Sequence, residues 1–161
     1  IAQYENIVAL NPGNADAVFL LGALHLEKGD RSQAKELFRR TLELDPGHHN
    51  CLNSLGYLYA EAGIHLDEAK RYVEKALEID PRNGAYLDSL GWIYFKKQDY
   101  EKALIYLKEA DSFLKDPVIY DHIGDVYYAM GENEEARKYW NLSLEMLPGQ
   151  TEIKNKLKRL E

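Results

Sequence analysis

Three ionisable side chains, Asp121, His122 and Asp125, lie close together in the segment DHIGD and have the chemistry to exchange protons with a substrate. Acid–base catalysis also needs a reacting nucleophile or a group that stabilises developing negative charge. Neither accompanies these residues, and the sequence contains no glycine-rich phosphate-binding loop. We therefore expect that the chain is not an enzyme and uses no cofactor.

A second group, His48, His49 and Cys51, consists of side chain types that bind zinc. It lacks the paired ligand spacing of structural zinc sites and falls at a turn between two helical patterns. We expect no metal site there. Because Cys51 is the single cysteine, an internal disulfide is excluded.

Composition narrows the class of partner. The chain has 161 residues, of which 45% are hydrophobic and 29% charged, as in a folded domain. Its net charge of −7 argues against nucleic acid, whose phosphates are bound by clustered Lys and Arg. No apolar run approaches the roughly 20 residues that span a bilayer.

Because the sequence begins at Ile1, we interpret it as part of a longer protein, from the cytoplasm or from a bacterial periplasm or envelope.

The elements that position these residues repeat along the chain. Glycine recurs at intervals of 34, 35 and 33 residues, at Gly22, Gly56, Gly91 and Gly124. An alanine follows each glycine after 12 or 13 residues, at Ala34, Ala69, Ala103 and Ala136. Prolines close three of the four units, in LDP, IDP and MLP. Such a period indicates stacked supersecondary units.

This pattern resembles the tetratricopeptide repeat over about residues 15–150, and YLDSLGW is similar to bacterial members of that family. The resemblance implies an all-α, right-handed superhelical solenoid of antiparallel helix pairs, with about ten helices. The sequence departs from the family pattern at His25, which replaces a tyrosine, in the longer turn GIHLDEA, and in the missing proline of the third repeat.

The predicted boundaries follow the repeat. They are 1–14 for the second helix of a truncated preceding repeat, 15–48, 49–83, 84–116 and 117–149 for four repeats, and 150–161 for a capping helix. Ile153, Leu157 and Leu160 lie on one side of that last helix and are expected to cover the fourth repeat. Each recurring glycine is expected to face the alanine of its partner helix, so that the two helices pack closely.

The resemblance also implies a concave face lined by the first helix of each repeat. Its candidate partner-binding residues are Asn53, Tyr57, Asp88, Trp92, Phe95, Asp121, His122, Asp125 and Tyr128. The aromatic residues are expected to anchor a peptide, and the acidic residues to receive its Lys or Arg. In the alternative, Trp92 and Phe95 pack on the next helix and the acidic residues are solvated.

We therefore expect a non-catalytic adaptor that binds a protein or peptide with a basic and an apolar residue. Two other functions remain open at this stage. The segment could be a structural module that forms homo-oligomers through its ends or its convex surface, or it could serve a catalytic domain elsewhere in the parent protein. No membrane insertion of this segment is expected.

Overall fold

The computed structural model describes residues 2–160, which form ten α-helices. The chain divides into two compact units, one ending at Pro81 and the other beginning at Arg82. The helices of the first unit are α1 (Ala2–Leu10), α2 (Ala15–Glu27), α3 (Arg31–Leu44), α4 (His49–Ala62) and α5 (Leu66–Ile79). Helices α2 and α3 pack as one pair and α4 and α5 as the next.

The second unit repeats this arrangement. Its helices are α6 (Gly84–Lys96), α7 (Tyr100–Phe113), α8 (Pro117–Ala129), α9 (Asn133–Met146) and α10 (Thr151–Lys158). Helix α6 pairs with α7, α8 pairs with α9, and α10 packs against α9. Each pair thus consists of two consecutive helices joined by a short turn. Within residues 2–160, no helix is both long and apolar enough to cross a membrane.

Short polar side chains cap the first free amide groups of five of the ten described helices. The side chains of Asn14, Asp30, Asp99 and Asp116 each accept a hydrogen bond from a backbone N–H in the first turn. Such caps satisfy donors that have no partner inside the helix. The helix boundaries therefore follow from local sequence.

The four recurring glycines all lie where two paired helices meet. A β-carbon on Gly91 would stand 2.7 Å from Cγ of Leu107 and 3.1 Å from the carbonyl oxygen of Ala103. The glycine thus faces a large side chain as well as the alanine backbone, whereas the sequence predicts alanine as its neighbour. In the other three pairs the position equivalent to Leu107 is occupied by Phe38, Val73 and Trp140. Each of these side chains fills the space beside the glycine of its pair.

The capping helix α10 covers less than the sequence predicts. Ile153 is buried, but Leu157 and Leu160 are only half-buried. Its one fully buried apolar side chain is therefore Ile153, and the helix meets the rest of the unit largely through polar contacts.

Candidate functional site

Seven of the nine candidate residues lie on α6 and α8 of the second unit. They are Asp88, Trp92 and Phe95 on α6, and Asp121, His122, Asp125 and Tyr128 on α8. The other two, Asn53 and Tyr57, lie half-buried on α4 of the first unit. The helical period places each set on one side of its helix.

Asp88 and His122 form a buried pair that links α6 to α8. The Nδ1–H of His122 donates to Oδ1 of Asp88 over 2.8 Å, and both residues are less than 10% exposed. Burial alone lowers the pKa of His122, but the charge and hydrogen bond of Asp88 outweigh it, so the pKa lies above its usual value. The carboxyl group of Asp88 therefore favours the charged form of the imidazole.

Trp92 packs directly on this pair. Its ring stacks on the His122 ring with centroids 4.0 Å apart, and on Phe95 at 4.6 Å. Only 6% of Trp92 is exposed. Trp92 therefore packs against His122 of α8. Its small exposed area leaves little for a partner to contact.

Asp121 and Asp125 bind a cation that belongs to the chain itself. Nζ of Lys156 on α10 lies 2.7 Å from Oδ1 of Asp121, 2.7 Å from Oδ1 of Asp125 and 2.9 Å from its Oδ2. The Nε1–H of Trp140 also donates to Oδ1 of Asp125, over 3.1 Å. The sequence predicts that these acids bind a ligand or, in the alternative, are solvated. Neither prediction includes a lysine of the same chain.

The ionisation of this cluster reflects burial and close charges. Burial and the charge of Asp125 raise the pKa of Asp121 above its usual value, against the opposing effect of Lys156. Burial lowers the pKa of Lys156, but the two carboxylates outweigh it and the pKa is raised. Lys156 consequently keeps its positive charge while it stays between the two acids.

Sequence analysis missed Lys156, although a signal for it exists. Asp88 and His122 are 34 residues apart, and Asp121 and Lys156 are 35 apart. Each acid therefore pairs with a basic residue about one repeat further along the chain. The same period that aligns the glycines places these residues side by side.

Phe95 and Tyr128 are the accessible aromatic residues of this surface. Tyr128 is 44% exposed and Phe95 is half-buried. Together they line a cleft of about 230 Å³, which we name the aromatic cleft; its other lining residues are Asp125, Ala129, Trp140, Lys156 and Arg159. The cleft combines apolar walls with charges of both signs.

These positions do not suit the reaction that the segment DHIGD suggests. The His122 ring is 5% exposed between Asp88 and Trp92, so a substrate has no open approach to it. The carboxylates of Asp121 and Asp125 point to Lys156. Within the chain the three side chains pack and pair charges, and Asp125 also lines the cleft.

The zinc-type residues of the first unit have structural contacts. Nδ1 of His48 accepts from the backbone N–H of Cys51 and caps α4. Cys51 is fully buried, its Sγ donates to the carbonyl oxygen of Phe38, and burial raises its pKa to about 12.

Comparison with protein families gives one consistent result. Three models described as tetratricopeptide repeat match residues 1–63, 65–116 and 118–148. No curated protein sequence matches the chain.

Solved structures with the same fold include several bacterial proteins. TTC0263, a thermophilic tetratricopeptide repeat protein of Thermus thermophilus, is 20% identical with a TM-score of 0.82, over 98% of this chain and 86% of that one. PilF of Pseudomonas aeruginosa is 27% identical with a TM-score of 0.75, over 91% and 67%. PilW, a type IV pilus biogenesis factor, is 18% identical with a TM-score of 0.83, over 99% and 76%. These likenesses confirm the predicted fold class.

Proposed function

The chain belongs to the tetratricopeptide repeat family, and from this premise we propose that it is a non-catalytic adaptor whose aromatic cleft binds a segment of a partner protein. Proteins of this fold generally mediate protein–protein interaction. The observation that carries the proposal for this chain is the cleft itself, where two accessible aromatic rings flank a carboxylate.

Phe95 and Tyr128 give the cleft its affinity for an apolar side chain. Aromatic rings bury large areas while losing few rotatable bonds, and they dominate the energetics of interfaces. The Phe95 ring packs on Trp92 and on Tyr100, with centroids 4.6 and 5.8 Å away, and the Tyr128 ring packs on Trp140 at 5.5 Å. Because neighbouring rings already hold both side chains, a partner needs to order little when it binds.

The buried residues behind the cleft position its walls. Trp92 and His122 form a continuous stack from α6 to α8, and Asp88 fixes the orientation of the imidazole. We assign these three a supporting role and assign direct contact to Phe95, Asp125 and Tyr128. Asn53 and Tyr57 on α4 remain proposed contacts of the first unit.

The test uses a random peptide library displayed on phage, selected against the whole immobilised chain. Selected peptides are then labelled, and their dissociation constants are measured by fluorescence anisotropy. Replacing Phe95 or Tyr128 with Ala should weaken binding by about tenfold or more, equivalent to a loss of about 1.4 kcal/mol or more.

Phe113→Ala is the matched control, because Phe113 is an aromatic residue of the same unit that is 46% exposed and does not line the cleft. It should leave the dissociation constants unchanged. If the selected peptides bind Phe95→Ala and Tyr128→Ala as tightly as the unmodified chain, the aromatic cleft is not the binding surface.

A further inference from the structure

We propose that α10 is an intramolecular occupant of this surface, and that a partner segment carrying a lysine binds Asp121 and Asp125 by displacing Lys156. The inference rests on the proposed function and adds to it the charge chemistry and the regulation of the same site. The chain's own helix thereby shows what the acidic part of the surface recognises.

The first step of the argument is the geometry of the seated ammonium. Nζ of Lys156 contacts three carboxylate oxygens at 2.7–2.9 Å, and it lies 5.8 Å from the centre of the Trp140 ring. Its side chain is 15% exposed, and those of Asp121 and Asp125 are 23% and 19% exposed. Charge-assisted hydrogen bonds of this kind are stronger than neutral ones. Asp121, Asp125 and the indole of Trp140 therefore form a binding site for one primary ammonium group.

The second step is that α10 is held weakly enough to leave. It has only eight residues, and no side chain caps its N-terminus. Ile153 is its single fully buried side chain, while Lys154, Asn155 and Lys158 are exposed. Helices shorter than about 12 residues are marginal in water without tertiary packing. Besides Lys156, the segment is tied by Gln150, which donates to Ser143 and Leu147, and by Arg137, which donates to the carbonyl oxygen of Leu160.

The third step is that departure of Lys156 leaves an acidic pair that requires a replacement cation. Asp121 and Asp125 lie on adjacent turns of α8, and both contact the same ammonium group. Burial and the neighbouring Asp125 disfavour the ionised form of Asp121, and Lys156 opposes both effects. A partner without a positive charge would therefore not compensate for the loss of α10.

The fourth step gives the chemistry of the partner segment. In α10 the buried Ile153 precedes Lys156 by one helical turn, so both side chains lie on the same side of the helix. Lys156 and Arg159 also line the aromatic cleft. Displacement of α10 thus opens one wall of the cleft. The expected partner is an amphipathic helix with an apolar residue about one turn before a lysine.

The test uses a fluorescent peptide that copies residues 149–160 as the probe, added to the whole chain. In the unmodified chain the tethered α10 competes at a high effective concentration, so the free peptide should bind weakly. Lys156→Gln removes the tethered ammonium and leaves the acids in place. The peptide should then bind about tenfold tighter or more, because the competent state is no longer masked.

Three comparisons make the result specific. Lys158→Gln makes the same charge change at an exposed position of α10 and should leave the weak binding unchanged. Ile153→Ala loosens α10 without touching the acids, and it should also tighten peptide binding. A probe with glutamine in place of the lysine that corresponds to Lys156 should bind none of the chains measurably.

Equal affinity of the probe for the unmodified chain, Lys156→Gln and Ile153→Ala would overturn the displacement. If the glutamine probe binds as tightly as the lysine probe, recognition of the ammonium group is overturned. Either result, combined with library peptides that still depend on Phe95 and Tyr128, removes this inference alone. Library peptides that ignore those two residues would remove the proposed function instead, since the α10 probe is read through Asp121 and Asp125.

Discussion

At the scale of single residues, the interior of the second unit contains a histidine that is hydrogen-bonded to a carboxyl group. Asp88 and His122 are separated from solvent, and Trp92 covers the imidazole. The raised pKa of His122 shows that the carboxylate more than offsets the cost of burying the cation. Asp121 and Asp125, on the same helix as His122, also favour its charged form.

This pair predicts that stability falls as the pH rises above the ordinary histidine pKa of about 6.5. A histidine whose pKa is raised in the folded state stabilises the fold fully below its unfolded pKa of about 6.5. That contribution is lost as the pH climbs through the raised folded value. Thermal unfolding followed in small pH steps upward from pH ~6 should show a falling Tm that levels off once His122 is neutral.

Asp88→Asn is the control for this pH dependence, because it keeps the size of the side chain and removes its charge. It should reduce the pH dependence, and so should His122→Gln, while the remaining histidines contribute equally to all chains. If both variants keep the slope of the unmodified chain, the pair does not control it.

At the scale of helices, close packing in each pair depends on a position without a side chain. Glycine costs about 1 kcal/mol relative to alanine inside a helix. In α6 that cost is offset by the approach of Leu107 and of the Ala103 backbone on α7. The helix propensity and the packing therefore make opposite predictions for an added methyl group.

We expect packing to prevail in Gly91→Ala, with a loss of about 1–3 kcal/mol in the free energy of unfolding. The backbone oxygen of Ala103, 3.1 Å from the new β-carbon, cannot rotate away as a side chain can. Urea unfolding followed by circular dichroism measures the change. Gly149→Ala, which meets no atom within 4 Å, should be close to neutral. Greater stability of Gly91→Ala would show that propensity prevails.

At the scale of the whole molecule, charge restricts the partners. The chain carries 27 acidic and 20 Lys and Arg residues, and Lys156, a basic residue of the final segment, is already paired with acids. Clustered Lys and Arg side chains bind nucleic acid mainly by displacing the counterions that its phosphates hold. The acidic net charge therefore leads us to predict that nucleic acid is not a partner.

We accordingly predict no binding of labelled duplex DNA at physiological salt, even at about 100 µM protein, the weak limit of ordinary non-specific binding. Fluorescence anisotropy measures this directly. A salt-sensitive rise in anisotropy would contradict the prediction and would point to a cationic patch that the net charge conceals.

The sequence by itself determined the repeat, the helix pairs and the glycine position at which each pair packs closely. These features depend on local periodicity: glycine at 91 and alanine at 103 take up their places through helix geometry and one short turn. The family assignment and fold class followed from that register, because it recurs four times.

The tertiary structure alone decided how the candidate residues are used. The sequence predicts that Asp88, Trp92 and Asp121 all face the same concave surface. In the structure Asp88 is buried and bonded to His122, Asp121 binds Lys156, and Trp92 is buried against His122. These outcomes depend on contacts between residues about one repeat apart, which arise only when neighbouring helices stack. Helical period tells which side of a helix a residue occupies, but the opposing side chain decides whether that side meets solvent, a partner or the chain itself.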